Sequence, residues 1–245
     1  MSSEPSWIGE SISLSQLQTI VVRPQSRIPT HMIVLCHGYG APGDDLAQLA
    51  GEFVELADSL QIAPAMFFPA APIDLGEYGM PGARAWWPLN MARLMELSMT
   101  RSFDRMRNET PPEIDRAREA LVGMIAAGRT QYGLEETTLL LGGFSQGAML
   151  SVDVALRGLP QPPQAMALYS GALICEEVWK AKSSGLSQTK IFQSHGRQDA
   201  ILPFETGSWL AELLKAHAAQ FEFHAFDGPH TIPYEAISST LNLLV

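Results

Sequence analysis

Gly143, Phe144, Ser145, Gln146 and Gly147 fit the pattern G-x-S-x-G, in which a serine stands at a sharp turn between a strand and a helix. Small residues two positions to either side relieve the crowding at such a turn. The first amides of the following helix face the reacting atom, where the positive end of the helix dipole favours a developing oxyanion. The flanks suit this reading: "TTLLLG" is an apolar strand pattern and "QGAML" opens a helical one. A five-residue pattern with three fixed positions also arises by chance, so the partners of the serine decide.

A nucleophilic serine needs a base, and the base needs a group that holds its tautomer. Asp199 follows the strand pattern "KIFQSHG", and His230 follows "QFEFHAF". Ser145, Asp199 and His230 thus come in that order, each just past the carboxyl end of a successive predicted strand, which is where parallel sheets bind ligands. We read them as nucleophile, acid and base. The competitors fit less well. His217 falls within a predicted helix and His224 within a strand, while His195, at the end of a strand, is the second choice for the base. Asp227 precedes His230 by only three residues, and Asp153 falls on what reads as a solvated helix position. The loop "HGYGAPGDD" supplies a second backbone donor, Tyr39, to work with the amide of Gln146 as an oxyanion hole. His37 reads as a buried structural hydrogen bond, and Gly43, Asp44 and Asp45 as a turn and cap for the next helix.

Those residues need a frame. Strand patterns cover 18–23, 31–36, 63–68, 137–142, 164–169, 190–194 and 220–226, and helical ones 44–60, 111–130, 146–157, 204–219 and 233–244. Their alternation predicts an α/β fold: one domain over 1–245, with a mostly parallel central sheet and helices on both faces. "TPPEIDRAREAL" predicts a helix with Thr110 as N-cap and Pro111 at the first helical position. The segment "WWPLNMARLMELSM" has more apolar residues than an exposed loop should. Trp86, Trp87, Met91 and Met95 could line a pocket for a flexible chain, with core packing an equal alternative for each.

Composition narrows the class. With 46% hydrophobic and 17% charged residues the chain is globular. A net charge of −10 argues against nucleic acid as a partner. No apolar run approaches the ~20 residues of a membrane helix. The start carries Glu4 and Glu10 and does not read as a secretory signal, and Cys36 and Cys175 lie in or beside apolar runs, as reduced core thiols do. The expected location is the cytoplasm. A nucleotide-binding reading of the strand-to-helix turn fails because Phe144 stands where a dinucleotide loop needs glycine, and no P-loop pattern is present. A binding module on the same fold, and a peptidase, stay open.

The pieces "LCHGYG", "FFPAAP", "RAWWPL", "LLLGGFSQGAML", "SHGRQDAILP" and "PHTIP" together resemble the phospholipase/carboxylesterase family of α/β-hydrolases, which includes acyl-protein thioesterases and bacterial carboxylesterases. The resemblance spans residues 31 to 233. It implies the α/β-hydrolase fold and a serine hydrolase of carboxylic esters, or of thioesters, acting on small or lipid-like acyl substrates without metal or cofactor. Residue by residue it assigns Ser145 as nucleophile, Asp199 as acid, His230 as base, and the Tyr39 and Gln146 amides as oxyanion hole. The chain departs from the family's usual pattern in having Pro229 before the histidine, and in the longer stretch after "WWP".

Overall fold

The computed structural model describes residues 6–245, apart from the side chains of Met91 and Ser98. The chain opens with an antiparallel pair, β1 (Trp7–Leu14) and β2 (Leu17–Pro24), then enters β3 (His31–Cys36). Helix α1 (Ala50–Ser59) leads to β4 (Pro64–Pro69). A short hairpin follows, β5 (Ile73–Asp74) and β6 (Arg84–Ala85), and after it α2 (Met91–Thr100) and the long α3 (Ile114–Tyr132). The remaining strands alternate with helices: β7 (Thr138–Phe144), α4 (Gln146–Arg157), β8 (Ala165–Tyr169), α5 (Glu176–Lys182), β9 (Lys190–Gly196), α6 (Phe204–Lys215), β10 (Gln220–Phe226) and α7 (Tyr234–Asn242).

Eight strands form one sheet in the order β1-β2-β4-β3-β7-β8-β9-β10. From β4 to β10 every pairing is parallel; the β1-β2 and β2-β4 pairings are antiparallel. Alternation along β3 shows why both faces are covered. Met32, Val34 and Cys36 enter the core shared with α3 and α4, whereas Ile33 and Leu35 enter the core shared with α1 and α7. The parallel order brings the carboxyl ends of β3, β7, β9 and β10 to one edge, where the candidate residues lie.

Three local readings differ from the sequence expectation. β1 was not anticipated, because it is an edge strand whose polar Glu10, Ser11 and Ser13 dilute the apolar signal; among the described residues it pairs with β2 alone. The short α5 was also missed. The long helix α3 starts at Ile114, not at Pro111: its N-cap is Glu113, in the left-handed region at φ 63°, and no side chain caps it. The cause is Pro112, which disfavours helical geometry at the residue before it, so Thr110, Pro111 and Pro112 form a loop.

Asp153 also departs from expectation. It is fully buried on α4, where its oxygens accept from Arg118 at 2.7 Å, Arg157 at 3.1 Å and the Trp179 indole at 2.9 Å. One carboxylate thereby ties α3 and α5 to the helix that follows the serine. Removing it takes the buried carboxylate away from Arg118 and Arg157, which among the described residues keep only the exposed Asp115 as a partner, and leaves the Trp179 indole without its acceptor, so Asp153→Ala should cost about 3 kcal/mol. Urea denaturation should show an earlier midpoint for the variant than for wild type, and an unchanged midpoint would contradict it.

Candidate active site

β7 ends at Phe144 and α4 starts at Gln146, leaving Ser145 alone in the turn at φ 54° and ψ −116°, a strained conformation for a residue with a side chain. The turn fits only because its neighbours are small. A Cβ at Gly143 or Gly147 would collide with the Cys36 carbonyl of β3, so these glycines let β3, β7 and α4 close on one another. Gln146 supplies the first amide of α4, which has no partner within its helix. Cys36, directly under this turn, is no rival nucleophile: burial pushes its thiol up to about 12, against a lowering contribution from Ser151.

Asp199 and His230 meet beside the turn. His230 Nδ1 lies 2.6 Å from Asp199 Oδ2, so Nδ1 carries the hydrogen and Nε2 is left to accept. The other carboxylate oxygen, Oδ1, accepts the amides of Ile201 at 2.9 Å and Leu202 at 2.8 Å. Burial alone would raise the Asp199 carboxyl, but hydrogen bonds from His195, His230 and the Leu202 amide outweigh it and hold the group well below the usual carboxylate range. The loops carrying the pair are pinned together: the Arg197 amide donates to Phe226 O at 2.8 Å and the Gln198 amide to Gly228 O at 3.0 Å. The His230 ring packs on Phe144, the residue before the serine, with centroids 4.6 Å apart. Asp227, in contrast, points into solvent, 3.6 Å from Arg197.

The loop after β3 is held from below. His37 is buried, its Nε2 accepting from the Ala71 amide at 2.9 Å and its Nδ1 donating to Gly38 O at 2.7 Å. That is the structural role its surroundings predict, and burial lowers its basicity. The Trp86 indole donates to His37 O at 2.9 Å, and the backbone of Arg84 pairs with Gly40 and Ala41. Tyr39 sits in the loop so fixed. The Gln146 side chain, which the sequence reading used only for its amide, spans both tryptophans: Oε1 accepts from the Trp86 amide and Nε2 donates to Trp87 O, each at 2.9 Å.

The four residues expected to line a pocket separate. A cavity of about 150 Å³ opens beside α4, lined among others by Trp87, Leu94, Leu97, Met106, Met149 and Ile174. Met149 lies one helical turn beyond Ser145. Trp86 does not border this cavity; it is wholly buried and holds the His37 loop. Met95 is 65% exposed, because Leu94 and Leu97 define the inward face of α2 and Met95 falls on the other. The side chain of Met91 lies outside the described residues.

With strand, turn, serine and the acid-histidine pair in place, the likeness to known proteins can be stated. The family model for phospholipase/carboxylesterase matches residues 17–244. The chain belongs to that family. Among curated relatives, acyl-protein thioesterase 1 of Mycosarcoma maydis is 27% identical over 241 residues, covering 91% of this chain and 94% of its own. Among solved structures, esterase PE8 aligns with a TM-score of 0.70 at 24% identity over 98% of each chain. A carboxylesterase from Mesorhizobium loti aligns with a TM-score of 0.70 at 16% identity, over 96% of this chain and 98% of that one. The fold is accordingly that of the α/β-hydrolases, and the family is one of hydrolases. No helix among the described residues is long and apolar enough to cross a membrane.

The depressed Asp199 carboxyl makes a prediction that does not depend on the reaction. A carboxylate held below its unfolded value of about 3.9 adds stability above that pH and loses it as pH falls towards the folded value. Wild-type stability should therefore drop more steeply below about pH 4 than that of Asp199→Asn. Thermal melts from pH 6 down to pH 2 test this; parallel curves for the two proteins would contradict it.

Proposed function

We propose that the protein is a serine esterase that hydrolyses carboxylic esters through an acyl-enzyme, with Ser145 as nucleophile, His230 as base and Asp199 as the acid that orients it. The observation that carries the reading is the Asp199 to His230 hydrogen bond at 2.6 Å beside a serine in a strained strand-to-helix turn. The Nδ1 contact fixes the tautomer in which Nε2 can take the serine proton. In the reading, Ser145 Oγ attacks the acyl carbonyl as His230 removes its proton, and the Tyr39 and Gln146 amides receive the oxyanion. His230 then protonates the leaving alcohol, and water repeats the sequence against the acyl-enzyme. A cytoplasmic enzyme acting on small or lipid-like acyl esters agrees with the acidic chain and its buried thiols.

A thioester substrate is the second reading. It is favoured by curated relatives that carry the name acyl-protein thioesterase 1, in Mycosarcoma maydis and Saccharomyces cerevisiae among others. The same machinery serves both, since only the leaving atom differs.

The cavity beside α4 is the place for the acyl chain. Its volume is close to that of an engineered cavity that holds benzene, which suits acyl chains of short to middle length. Its wall is apolar where Trp87, Leu97, Met149 and Ile174 meet, and Met149 puts it one turn of α4 from the serine.

Ser145→Ala should leave a folded protein with p-nitrophenyl ester hydrolysis reduced at least ~10⁴-fold, and a variant that keeps a tenth of wild-type turnover would refute the assignment. Ile174→Trp, which fills the cavity, should lower kcat/KM for hexanoyl and octanoyl esters by ~0.8 kcal/mol for each methylene excluded and leave acetyl esters nearly unchanged. Met95→Ala should change none of them. Measuring kcat/KM from acetyl to decanoyl, on oxygen esters and thioesters, tests the chain-length claim. A loss independent of chain length would remove the cavity from the acyl site.

A further inference from the structure

A second imidazole touches the Asp199 carboxylate. His195, at the end of β9, is completely buried, and its Nε2 lies 2.8 Å from Leu202 O and 3.3 Å from Asp199 Oδ2. Oδ2 is the oxygen that also meets His230 Nδ1. Both neighbours of His195 Nε2 are acceptors, so Nε2 carries a hydrogen. On the other side of the ring, Nδ1 has no hydrogen-bond partner among the described residues. There Gly207 of α6 packs so closely that a Cβ would collide with Nδ1, and Phe204 meets the ring edge-on at 6.0 Å. The ring is thereby sealed in one orientation and one tautomer.

We propose that His195 is a positioning residue for the reaction: its Nε2–H, shared between Leu202 O and Asp199 Oδ2, fixes the carboxylate against His230 and moderates how strongly that carboxylate holds a protonated His230. The proposal rests on the Ser145, His230 and Asp199 reading above. A donor on Oδ2 withdraws negative charge from the atom that His230 uses. Without it, Asp199 would be freer to turn and would stabilise the imidazolium more strongly. The chain thus tunes its base through a residue that never meets substrate. The neighbouring charged and titratable groups have contacts of their own: Arg197 lies over the Phe204 ring and beside Asp227 at the surface, and His224 stacks with Phe192 and Phe226. His230 itself faces Asp199 and the Phe144 ring.

The test compares pH profiles of kcat/KM on one p-nitrophenyl ester for wild type, His195→Leu and His195→Gln. Leucine removes the donor, while the glutamine amide nitrogen can occupy the place of Nε2. In His195→Leu the acid limb should move to higher pH by about half a unit, and kcat should fall about tenfold as the base loses its orientation. Glutamine should bring both back towards wild type. A role in packing alone lowers the melting temperature and scales the rate equally at every pH, so an unmoved acid limb in His195→Leu overturns the proposal. Histidine nitrogen NMR on wild type supplies a measurement that needs no variant to fold: His195 should show a slowly exchanging Nε2–H, and the Nδ1–H tautomer would overturn the proposal as well. Ser145→Ala is assayed alongside. Residual activity there removes the whole catalytic reading, whereas an inactive Ser145→Ala with an unmoved His195→Leu limb removes only the positioning role.

Discussion

The Cys36 carbonyl at the end of β3 sets how close three elements can come. Gly143 on β7 and Gly147 on α4 both press against it, and neither position has room for a methyl group. That approach forces the chain between them into the conformation seen at Ser145, whose cost of order 1–3 kcal/mol is offset by the buried strands and helix around it. α4 is held in turn by its own buried face and by Asp153, which collects Arg118 of α3 and Trp179 of α5 together with Arg157 one turn along α4. A strained serine thus stands on the most constrained part of the molecule, and its direction is set by backbone packing. The side chain itself contributes little to holding the turn.

The tryptophan pair shows how the two sides of the site are joined. The Gln146 side chain reads the backbone of Trp86 and Trp87 with its two ends, and the Trp86 indole reads the carbonyl of His37. The loop after β3 and the turn after β7 are therefore spaced by one continuous set of hydrogen bonds, all buried. In such a place each unmade bond carries the full desolvation penalty of its group, so the set tends to be made completely. Trp87 closes one side of the apolar cavity while its carbonyl is tied to the residue beside the serine, which ties the cavity wall to the serine turn.

Much of this was legible in the sequence, and the limits have physical causes. The central parallel strands carry apolar runs bounded by glycine and polar turns, so they were readable, and with them the sheet edge that gathers Ser145, Asp199 and His230. β1 was not, because an edge strand with a solvated face alternates weakly and its pairing is decided by β2. The Thr110 cap failed because two adjacent prolines outweigh a capping side chain. Asp153 was misplaced because helical period alone does not tell a solvated face from one covered by another helix. The same ambiguity separated Met95 from Leu94 and Leu97: apolar residues of α2 fall on more than one side of the helix, and only packing decides which face meets the cavity.

The histidines divide by what surrounds their two nitrogens, and that division separates them more sharply than their places in the chain do. His37 has both nitrogens engaged by backbone groups, one accepting and one donating; a proton could not come and go there without breaking a buried bond. His195 has one nitrogen shared between a carbonyl and a carboxylate, and the other closed off by α6. His230 alone combines a carboxylate partner at Nδ1 with a side chain that keeps 15% of its surface open. A base must exchange its proton with a reactant, so it needs one nitrogen fixed and the other reachable. Of the three, only His230 meets both conditions. The rings of His37 and His195 remain as fixed struts, one under the loop that carries Tyr39 and one behind the carboxylate of Asp199.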